Sequence, residues 1–314
     1  MKVCYYPDVD LPDNARPAVT LGNFDGVHLG HRKAMELLKE RAKALASPAV
    51  AVTFEPHPMS VVRPEQAPKR ILTPELKQEV LAELGLDFLV IIHFTEEFSR
   101  IEPEAFVERV LVEKLHVGEL VLGANFRFGR GRAGDLEALR ALGKRHGFVV
   151  HQVEASSRGG AMISSSRIRQ RLIDGDVEEA GLMLGRPFFV QGTVIEGDGR
   201  GRLMGFPTAN VKVDGDVLIG DGVYVTDAIV DGEPHHGMTH VGRRPTFGLD
   251  ERMVETHLFD FNRQIYGAVT RLYFHQRIRG TVAFDSAEAL KARLEEDEGE
   301  ARSFFRGRGR NLVL

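Results

Sequence analysis

The chain has one cysteine, Cys4, among its 314 residues. A single thiol excludes an intramolecular disulfide and suits a reducing cytoplasm. No run of about 18 apolar residues occurs, so no membrane-spanning helix is expected. Met1–Asp10 lacks the apolar core of a secretory leader. An excess of positive charge is missing too: 41 Lys and Arg face 45 Asp and Glu, and the net charge of -4 leaves no overall basic field for a nucleic acid. The string Gly-x-x-x-x-Gly-Lys-Ser/Thr is absent, which excludes a P-loop, and no internal repeat organises the chain. What is present is an ordinary globular composition, 43% hydrophobic and 27% charged. At roughly 100–200 residues per domain, this length points to two domains.

The two halves differ in rhythm. In the first, short apolar runs at Pro17–Leu21, Ala49–Phe54, Asp87–Ile92, Glu119–Leu122 and Phe148–Val153 read as strands. They alternate with helical spacing at His31–Leu45, Pro74–Leu84, Pro103–Leu115 and Asp135–His146. Such alternation predicts an α/β, Rossmann-like module with a mostly parallel sheet, whose ligands bind at the carboxyl ends of the strands. Two short helical patterns follow, Ser165–Leu172 and Val177–Leu184, and the rhythm changes at Gly185-Arg186-Pro187. Strand patterns at Phe188–Ile195, Gly222–Val230, Met238–Val241, Met253–Phe259 and Val269–Phe274, then a helix at Ala287–Leu294, predict a mainly-β barrel with a terminal helix. The expected modules are 1–185 and 186–314. The tail Arg302–Arg310 reads as a solvated end, with a nucleic-acid patch as the rival reading.

The segment Leu21-Gly22-Asn23-Phe24-Asp25-Gly26-Val27-His28-Leu29-Gly30-His31 follows the first predicted strand of this series and opens the first predicted helix. Gly22, Gly26 and Gly30 allow backbone amides close to a ligand, and a helix N-terminus favours an anion. His28 and His31, three residues apart, fall on one side of a helical turn. Two imidazoles there can donate to phosphate oxygens and stabilise charge on a leaving pyrophosphate. They lack a nearby third ligand for zinc.

His-x-Gly-His after a first strand resembles the signature of the nucleotidylyltransferase superfamily. The longer string from Gly22 to His31 resembles, more narrowly, the bacterial bifunctional riboflavin kinase/FAD synthetase family. Thr53-Phe54-Glu55-Pro56-His57-Pro58, Leu122-Gly123-Ala124-Asn125-Phe126-Arg127-Phe128-Gly129 and Ile163-Ser164-Ser165-Ser166-Arg167-Ile168-Arg169 are similar to the same family, in the same order. The resemblance implies FMN adenylyltransferase chemistry in the first module. ATP would lie against Gly22, Asn23, Phe24, Asp25, Gly26, Gly30, Asn125, Ser164, Ser165 and Ser166, with His28, His31 and Arg167 catalytic. Ser164–Ser166 also suit a helix cap, and Arg167 adds a fixed positive charge. Phe54, Pro56, Pro58, Phe126 and Phe128 offer either an apolar slot for a flavin ring or core packing.

In the second half, the loop from Gly197 to Asn210 lies between two predicted strands and is rich in glycine. Its end, Gly205-Phe206-Pro207-Thr208-Ala209-Asn210, resembles the riboflavin kinase signature. This implies an ATP site at Gly201, Gly205, Phe206, Pro207, Thr208 and Asn210. Thr208 and Asn210 would offer neutral oxygens to Mg²⁺. Val254–Phe261 alternates, and the resemblance puts the general base at Glu255, with His257 and Asp260 as rivals. Arg279 would hold the flavin phosphate. Gly242-Arg243-Arg244-Pro245-Thr246-Phe247 also fits. Two departures occur: Met238-Thr239-His240-Val241 replaces a small-residue Ala-Asn-Ile run, and Thr281 stands where glutamate is usual.

The expected function is two-step flavin cofactor synthesis: riboflavin plus ATP giving FMN and ADP, then FMN plus ATP giving FAD and pyrophosphate, in the cytoplasm. Neither a nucleic acid nor a membrane is an expected partner, and no feature sets an oligomeric state. Three alternatives remain. One is a nucleotidylyltransferase for another phosphorylated substrate, with a binding barrel. The others are a nucleic-acid binder acting through the arginine tail and a flavin carrier without catalysis.

Overall fold

The computed structural model describes residues 1–197, 199–243 and 252–308. The chain forms two compact units, Met1–Ser164 and Ser165–Leu314.

The first unit is a parallel six-stranded sheet in the order β1-β4-β3-β2-β5-β6. Its strands are β1 (Lys2–Tyr6), β2 (Ala18–Leu21), β3 (Ala49–Glu55), β4 (Phe88–His93), β5 (Glu119–Gly123) and β6 (Val149–Val153). The central strands read as unbroken apolar runs because both faces are covered: all four residues of β2, and Ala49–Thr53 of β3, are buried. The connecting helices are α1 (Leu29–Ala44), α2 (Pro58–Val62), α3 (Pro74–Glu83), α4 (Glu96–Ser99), α5 (Pro103–Phe106) and α6 (Leu136–His146). Local chemistry sets their starts. Thr73 accepts from Leu76 N–H at 3.3 Å ahead of Pro74, and Asp135 caps α6 by accepting from Glu137 and Ala138. The predicted helix over Pro103–Leu115 is α5 followed by a π-helical turn, Val107–Val112, which points Val107, Val110 and Leu111 into the core. Strand β1 carries no alternating signal and pairs with β4 at the sheet edge. A short hairpin, β7 (Ser157–Arg158) and β8 (Ala161–Met162), precedes Ser164.

The second unit is a closed antiparallel barrel in the order β10-β13-β12-β11-β14-β9. It comprises β9 (Phe188–Ile195), β10 (Ala209–Val213), β11 (Gly222–Val230), β12 (Glu233–Arg243), β13 (Arg252–Leu258) and β14 (Val269–Arg279). Between β9 and β10 lies the short helix α9 (Arg200–Leu203). Strands β12 and β14 run longer than their patterns predict. Against β11, β14 shifts register between Val223 and Tyr224 and between Val225 and Thr226, which breaks the two-residue alternation. Inside the barrel, Thr226 and Thr239 Oγ1 lie 2.7 Å apart, and Thr239 donates to Thr256 at 2.9 Å.

Three helices complete this unit: α7 (Ser165–Ile173), α8 (Val177–Leu184) and α10 (Ala287–Arg308). Helix α10 runs well past the predicted Leu294. It carries Phe304 and Phe305 onto His275 and His236, whose imidazoles both reach Asp227, at 2.7 and 2.6 Å. Arg302 is therefore not part of a solvated end: it pairs twice with Asp260 at 2.9 Å and once with Glu298 at 2.7 Å. Residues 309–314 of the tail lie outside the described residues.

The compact units divide after Ser164, ahead of the change of rhythm at Gly185, because α7 and α8 pack with the barrel. Helix α8 lies on β9 and β14 with Val177, Ala180, Met183 and Leu184 at most 1% exposed. Gly220 N–H donates to Leu172 O at 2.8 Å, and Arg277 donates to Asp174 O at 3.2 Å. A fragment 165–314 should therefore unfold cooperatively, whereas 186–314 should lose several kcal/mol. Each fully buried large apolar side chain is worth about 1.5–3 kcal/mol. Urea denaturation of the two fragments checks this, and equal midpoints would overturn it.

Candidate functional site

In the first unit the chain order reverses between β2 and β5, with β3 and β4 on one side and β5 and β6 on the other. The loops leaving neighbouring strands part at such a point and open a crevice at the carboxyl ends. The loop after β2 carries Gly22–His28, and the loop after β5 carries Asn125, which is exposed and donates to Met162 Sδ at 3.4 Å.

The loop after β2 has a demanding backbone. Phe24, Gly26 and Val27 have φ of 49°, 78° and 43°. A Cβ on Gly22 would sit 2.8 Å from the Phe24 ring, so that ring can fold back only over a glycine. Phe24 and Val27 are buried, which fastens the loop from below. His28 caps α1, its Nδ1 accepting from His31 N–H at 3.4 Å. The two imidazoles stack, with centroids 3.7 Å apart and planes 15° from parallel, and Phe24 packs edge-on against His31. A Cβ on Gly30 would meet the His28 ring at 3.1 Å. No acid lies in the first turn of α1, so its positive end is uncompensated from within the helix. His31 Nδ1 is buried and has no hydrogen-bond partner among the described residues. Burial first, then His28 and the Lys77 ammonium, hold the His31 imidazole well below its usual range, so it is neutral. Two stacked imidazoles thus sit at a helix N-terminus with no acid in its first turn, and one ring nitrogen has no partner among the described residues. Among the described residues, no group of three or more His, Cys, Asp or Glu could hold a metal ion.

Other predicted residues brace this loop or lie elsewhere. Asp25 is buried, and its Oδ1 accepts from Ile71 N–H at 3.0 Å and Leu72 N–H at 3.4 Å. Asn23 meets His57 Nε2 at 3.0 Å. Sequence reasoning missed Lys77 and Arg70. They hold Glu55 from two sides, at 2.6 and 2.9 Å, and neither has a spacing signal that links it to β3. Phe128 is 7% exposed and packs at 5.8 Å from Phe106, so it belongs to the core. Phe126 stacks on Phe128 at 5.9 Å, and Phe54 packs against Phe94 and Phe98. Both are partly buried at the core's edge. Pro56 and Pro58 are half-buried at the end of β3 and the start of α2. Ser164 ends the first unit. Ser165, Ser166 and Arg167 open α7 in the second, and Arg167 lies 3.6 Å from Glu179.

In the barrel, register assembles the second candidate site. Asn210 on β10 stands opposite Glu255 on β13, and Glu255 stands opposite His240 on β12. Val254, Thr256 and Leu258 are buried in the barrel, so Glu255 and His257 face outward. His240 Nδ1 lies 3.8 Å from Glu255 Oε2. The two rival bases are already engaged. His257 donates from Nδ1 to Pro207 O at 2.8 Å, and Asp260, held by Arg302, is pulled below the usual carboxylate range.

A cavity of about 330 Å³ adjoins this row, lined by Arg202, Pro207, Thr208, Thr256, Phe261 and Arg263 among others. Thr208 is at its wall; Asn210 and Glu255 are not part of its lining. The loop above it is tight: a Cβ on Gly197 would run into the Asn210 amide, and one on Gly201 into Phe206 O. Gly205, with φ of 88°, turns the chain into buried Phe206. Arg279 lies apart from this row, clamped by Asp297. The Asp297 carboxylate is fully buried on α10, and the contacts are 2.8 to 3.1 Å. Arg279 also donates to Gly280 O at 3.1 Å. Arg244, Pro245, Thr246 and Phe247 fall outside the described residues.

A parallel sheet with two stacked imidazoles at its reversal point, followed by a closed barrel that carries Glu255 and a separate cavity walled by Thr208, sets out a two-module chain with a candidate site in each module. The family described as FAD synthetase matches residues 11–167, and that described as riboflavin kinase matches residues 184–305. The chain is 37% identical over 288 residues to the bifunctional riboflavin kinase/FMN adenylyltransferase of Escherichia coli K12, covering 91% of this chain and 92% of that one. It is 39% identical over 290 residues to the protein of that name from Listeria monocytogenes, with the same coverage. A crystal structure described as a macrolide-efflux protein from Streptococcus pneumoniae superposes with a TM-score of 0.87 at 30% identity, covering 96% of this chain and 99% of that one. Among the described residues of this chain, no helix is long and apolar enough to cross a membrane. The chain belongs to the bifunctional riboflavin kinase/FMN adenylyltransferase family, with an FAD synthetase domain followed by a riboflavin kinase domain.

The depressed His31 pKa has a consequence for stability. Above pH 6.5, the ordinary imidazole value, both folded and unfolded states are neutral at this residue. As the pH falls below it, the unfolded chain takes up a proton that the folded site refuses, so stability is lost. The urea midpoint of the first unit should drop between about pH 7.5 and about pH 5.5, and His31→Gln should shrink that drop. A drop of the same size in the variant would remove His31 as its cause.

Proposed function

We propose that the two sites carry out successive steps of flavin cofactor synthesis in the cytoplasm, with module boundaries at 185 and 186. In the barrel, ATP occupies the cavity walled by Thr208. The ribityl 5′-hydroxyl of riboflavin approaches Glu255, which takes its proton as the hydroxyl oxygen bonds to the γ-phosphorus and ADP leaves. The observation that carries this reading is the row Asn210–Glu255–His240. The Gly205–Asn210 segment has Thr208 at the cavity and, two residues on, Asn210 in register with Glu255, which supports a reading in which one short segment serves both reactants. Thr208 and Asn210 supply neutral oxygens that fit Mg²⁺ brought in with the nucleotide. That ion would neutralise charge developing on the transferred phosphoryl group.

In the first unit, a phosphate oxygen of FMN attacks the α-phosphorus of a second ATP, and pyrophosphate leaves. His28 and His31 donate to the phosphate oxygens, and the N–H groups at the start of α1 face the same charge. Support comes from the stacked imidazoles and the unpartnered His31 Nδ1. Ser164–Ser166 and Arg167 are assigned to the triphosphate, Asn125 to the ribose or a phosphate, and the exposed edges of Phe54 and Phe126 to the flavin ring. Residues assigned to adenylyl transfer end at Arg167, and those assigned to phosphorylation begin at Gly201. The start of α7 thus belongs by motif to one module and by packing to the other.

Glu255→Gln should abolish FMN formation and spare FAD formation from supplied FMN, because the amide keeps the shape but cannot accept the proton. His257→Gln, which loses a bond to Pro207 O, should cost far less. Separation of flavins over time at saturating ATP measures both. A near-parent rate for Glu255→Gln with a dead His257→Gln would transfer the base to His257. His28→Ala and His31→Ala should lower FAD formation about 10²–10³-fold and leave FMN formation intact. Equal loss of both activities would point to a folding defect.

A further inference from the structure

Lys77 on α3 is 6% exposed, and an ammonium so placed is costly unless its protons are all used. Its Nζ donates to Glu55 Oε1 at 2.6 Å, Thr53 Oγ1 at 3.3 Å and Asn23 O at 3.4 Å. The other Glu55 oxygen is held by Arg70 at 2.9 Å. One buried charge thus ties α3 to the ends of both β2 and β3. Replacing the lysine alone would take one of its two cationic partners from Glu55 and a donor from the Asn23 carbonyl, so its loss is felt at both strand ends.

The contact with Asn23 O is the one that reaches the turn after β2. In a trans peptide the C=O and the following N–H point in opposite directions. Drawing the Asn23 carbonyl toward Lys77 therefore turns the Phe24 N–H away from the buried ammonium. Phe24 then has φ of 49°, a conformation that a bulky residue rarely adopts and that persists only when its surroundings impose it. From Phe24 the turn runs directly into Gly26, Val27 and His28.

We infer that Lys77 is a positioning residue for adenylyl transfer, holding the Asn23 peptide from beneath and so fixing the turn that presents His28 and His31. This rests on the assignment of that turn to the FMN adenylyltransferase step. A second consequence is electrostatic. The charged groups acting on His31 are stacked His28 and the Lys77 ammonium, the latter partly offset by Glu55, which Arg70 also holds. Lys77 helps keep His31 neutral.

The test uses the full-length protein and measures FAD formation from FMN and ATP between about pH 5 and pH 9, with FMN formation from riboflavin as an internal control. Lys77→Met should lower kcat for FAD formation by about tenfold or more, as misplacement of a catalytic group does. FMN formation should change little. The limb of the pH profile set by His31 should move to higher pH, because a positive neighbour has gone. Lys77→Arg should restore part of kcat and return the limb. A Lys77→Met rate within about twofold of the parent with an unmoved limb would overturn the inference. So would a loss of kcat with no limb shift and no rescue by arginine, which is what a purely structural lysine predicts. If Lys77→Met does not fold, Glu55→Gln keeps the ammonium and removes its counter-charge. The limb should then move to lower pH, and an unmoved limb would equally overturn the inference. His31→Ala separates the two levels. If it still forms FAD at the parent rate, the assignment of the turn falls and this inference with it. If it is inactive while Lys77→Met behaves as the parent, only the role of Lys77 falls.

Discussion

The first unit depends on the central place of β2. With the order β1-β4-β3-β2-β5-β6, the chain must wind outward through β3 and β4 and then return across β2 to begin β5. That reversal parts the loops at the carboxyl ends of β2 and β5, and it leaves the start of α1 open rather than covered by a neighbouring connection. The geometry of Gly22–His31 answers that opening. A helix with no acid in its first turn is capped by an imidazole, and a second imidazole stacked on the first keeps one nitrogen without a partner. Negative charge is what such a place lacks, and a phosphate is the ligand proposed for it.

In the barrel the equivalent constraint is register. Asn210, Glu255 and His240 form a row only because β10, β13 and β12 pair as they do. A slip of one residue would turn Glu255 inward and set Thr256 outside. The interior threonines resist that slip. Thr226, Thr239 and Thr256 are buried and linked by short hydroxyl contacts, so moving one strand would leave polar groups unpaired in the core. An interior feature with no chemistry of its own therefore holds the carboxylate on the outer face.

Much of this was legible in the sequence because it is local. Apolar runs marked most of the strands, though not β1 or β10, glycines and histidines marked the turn after β2, and alternation put Glu255 and His257 on one face of β13. What escaped was set by partners far along the chain. Lys77 is separated from Glu55 by α2, a loop and the start of α3, and no period connects them. Asp297 meets Arg279 only because α10 continues beyond Leu294, where its apolar spacing weakens. The π-helical turn at Val107–Val112 shifts which residues meet the core without changing composition. The two readings of the aromatic residues differ by position: Phe128 is core, whereas Phe54 and Phe126 lie at its edge. That distinction depends on burial, which residue type alone does not disclose.

The two departures from the family pattern acquire physical meaning from the same long-range contacts. Thr281 stands where a glutamate is usual beside Arg279, yet the guanidinium does not lack a carboxylate. Asp297 reaches it from α10 and also meets Arg293 at 3.0 Å. A neighbouring acid can be replaced by a distant one because a guanidinium is oriented by the geometry of its hydrogen bonds, not by their distance in sequence. His240 replaces a member of the small-residue run, and register sets it across from Glu255. Both changes leave the motif residues in place and alter what surrounds them. In each unit the groups assigned to chemistry lie in segments that motifs reveal: a loop and the helix start after β2, the start of α7, and mid-strand on β13. The charges packed against their surroundings come from helices: Lys77 from α3 beneath the turn after β2, and Asp297 from α10 on Arg279. Substitutions in those helices can therefore act on the sites without touching a motif residue.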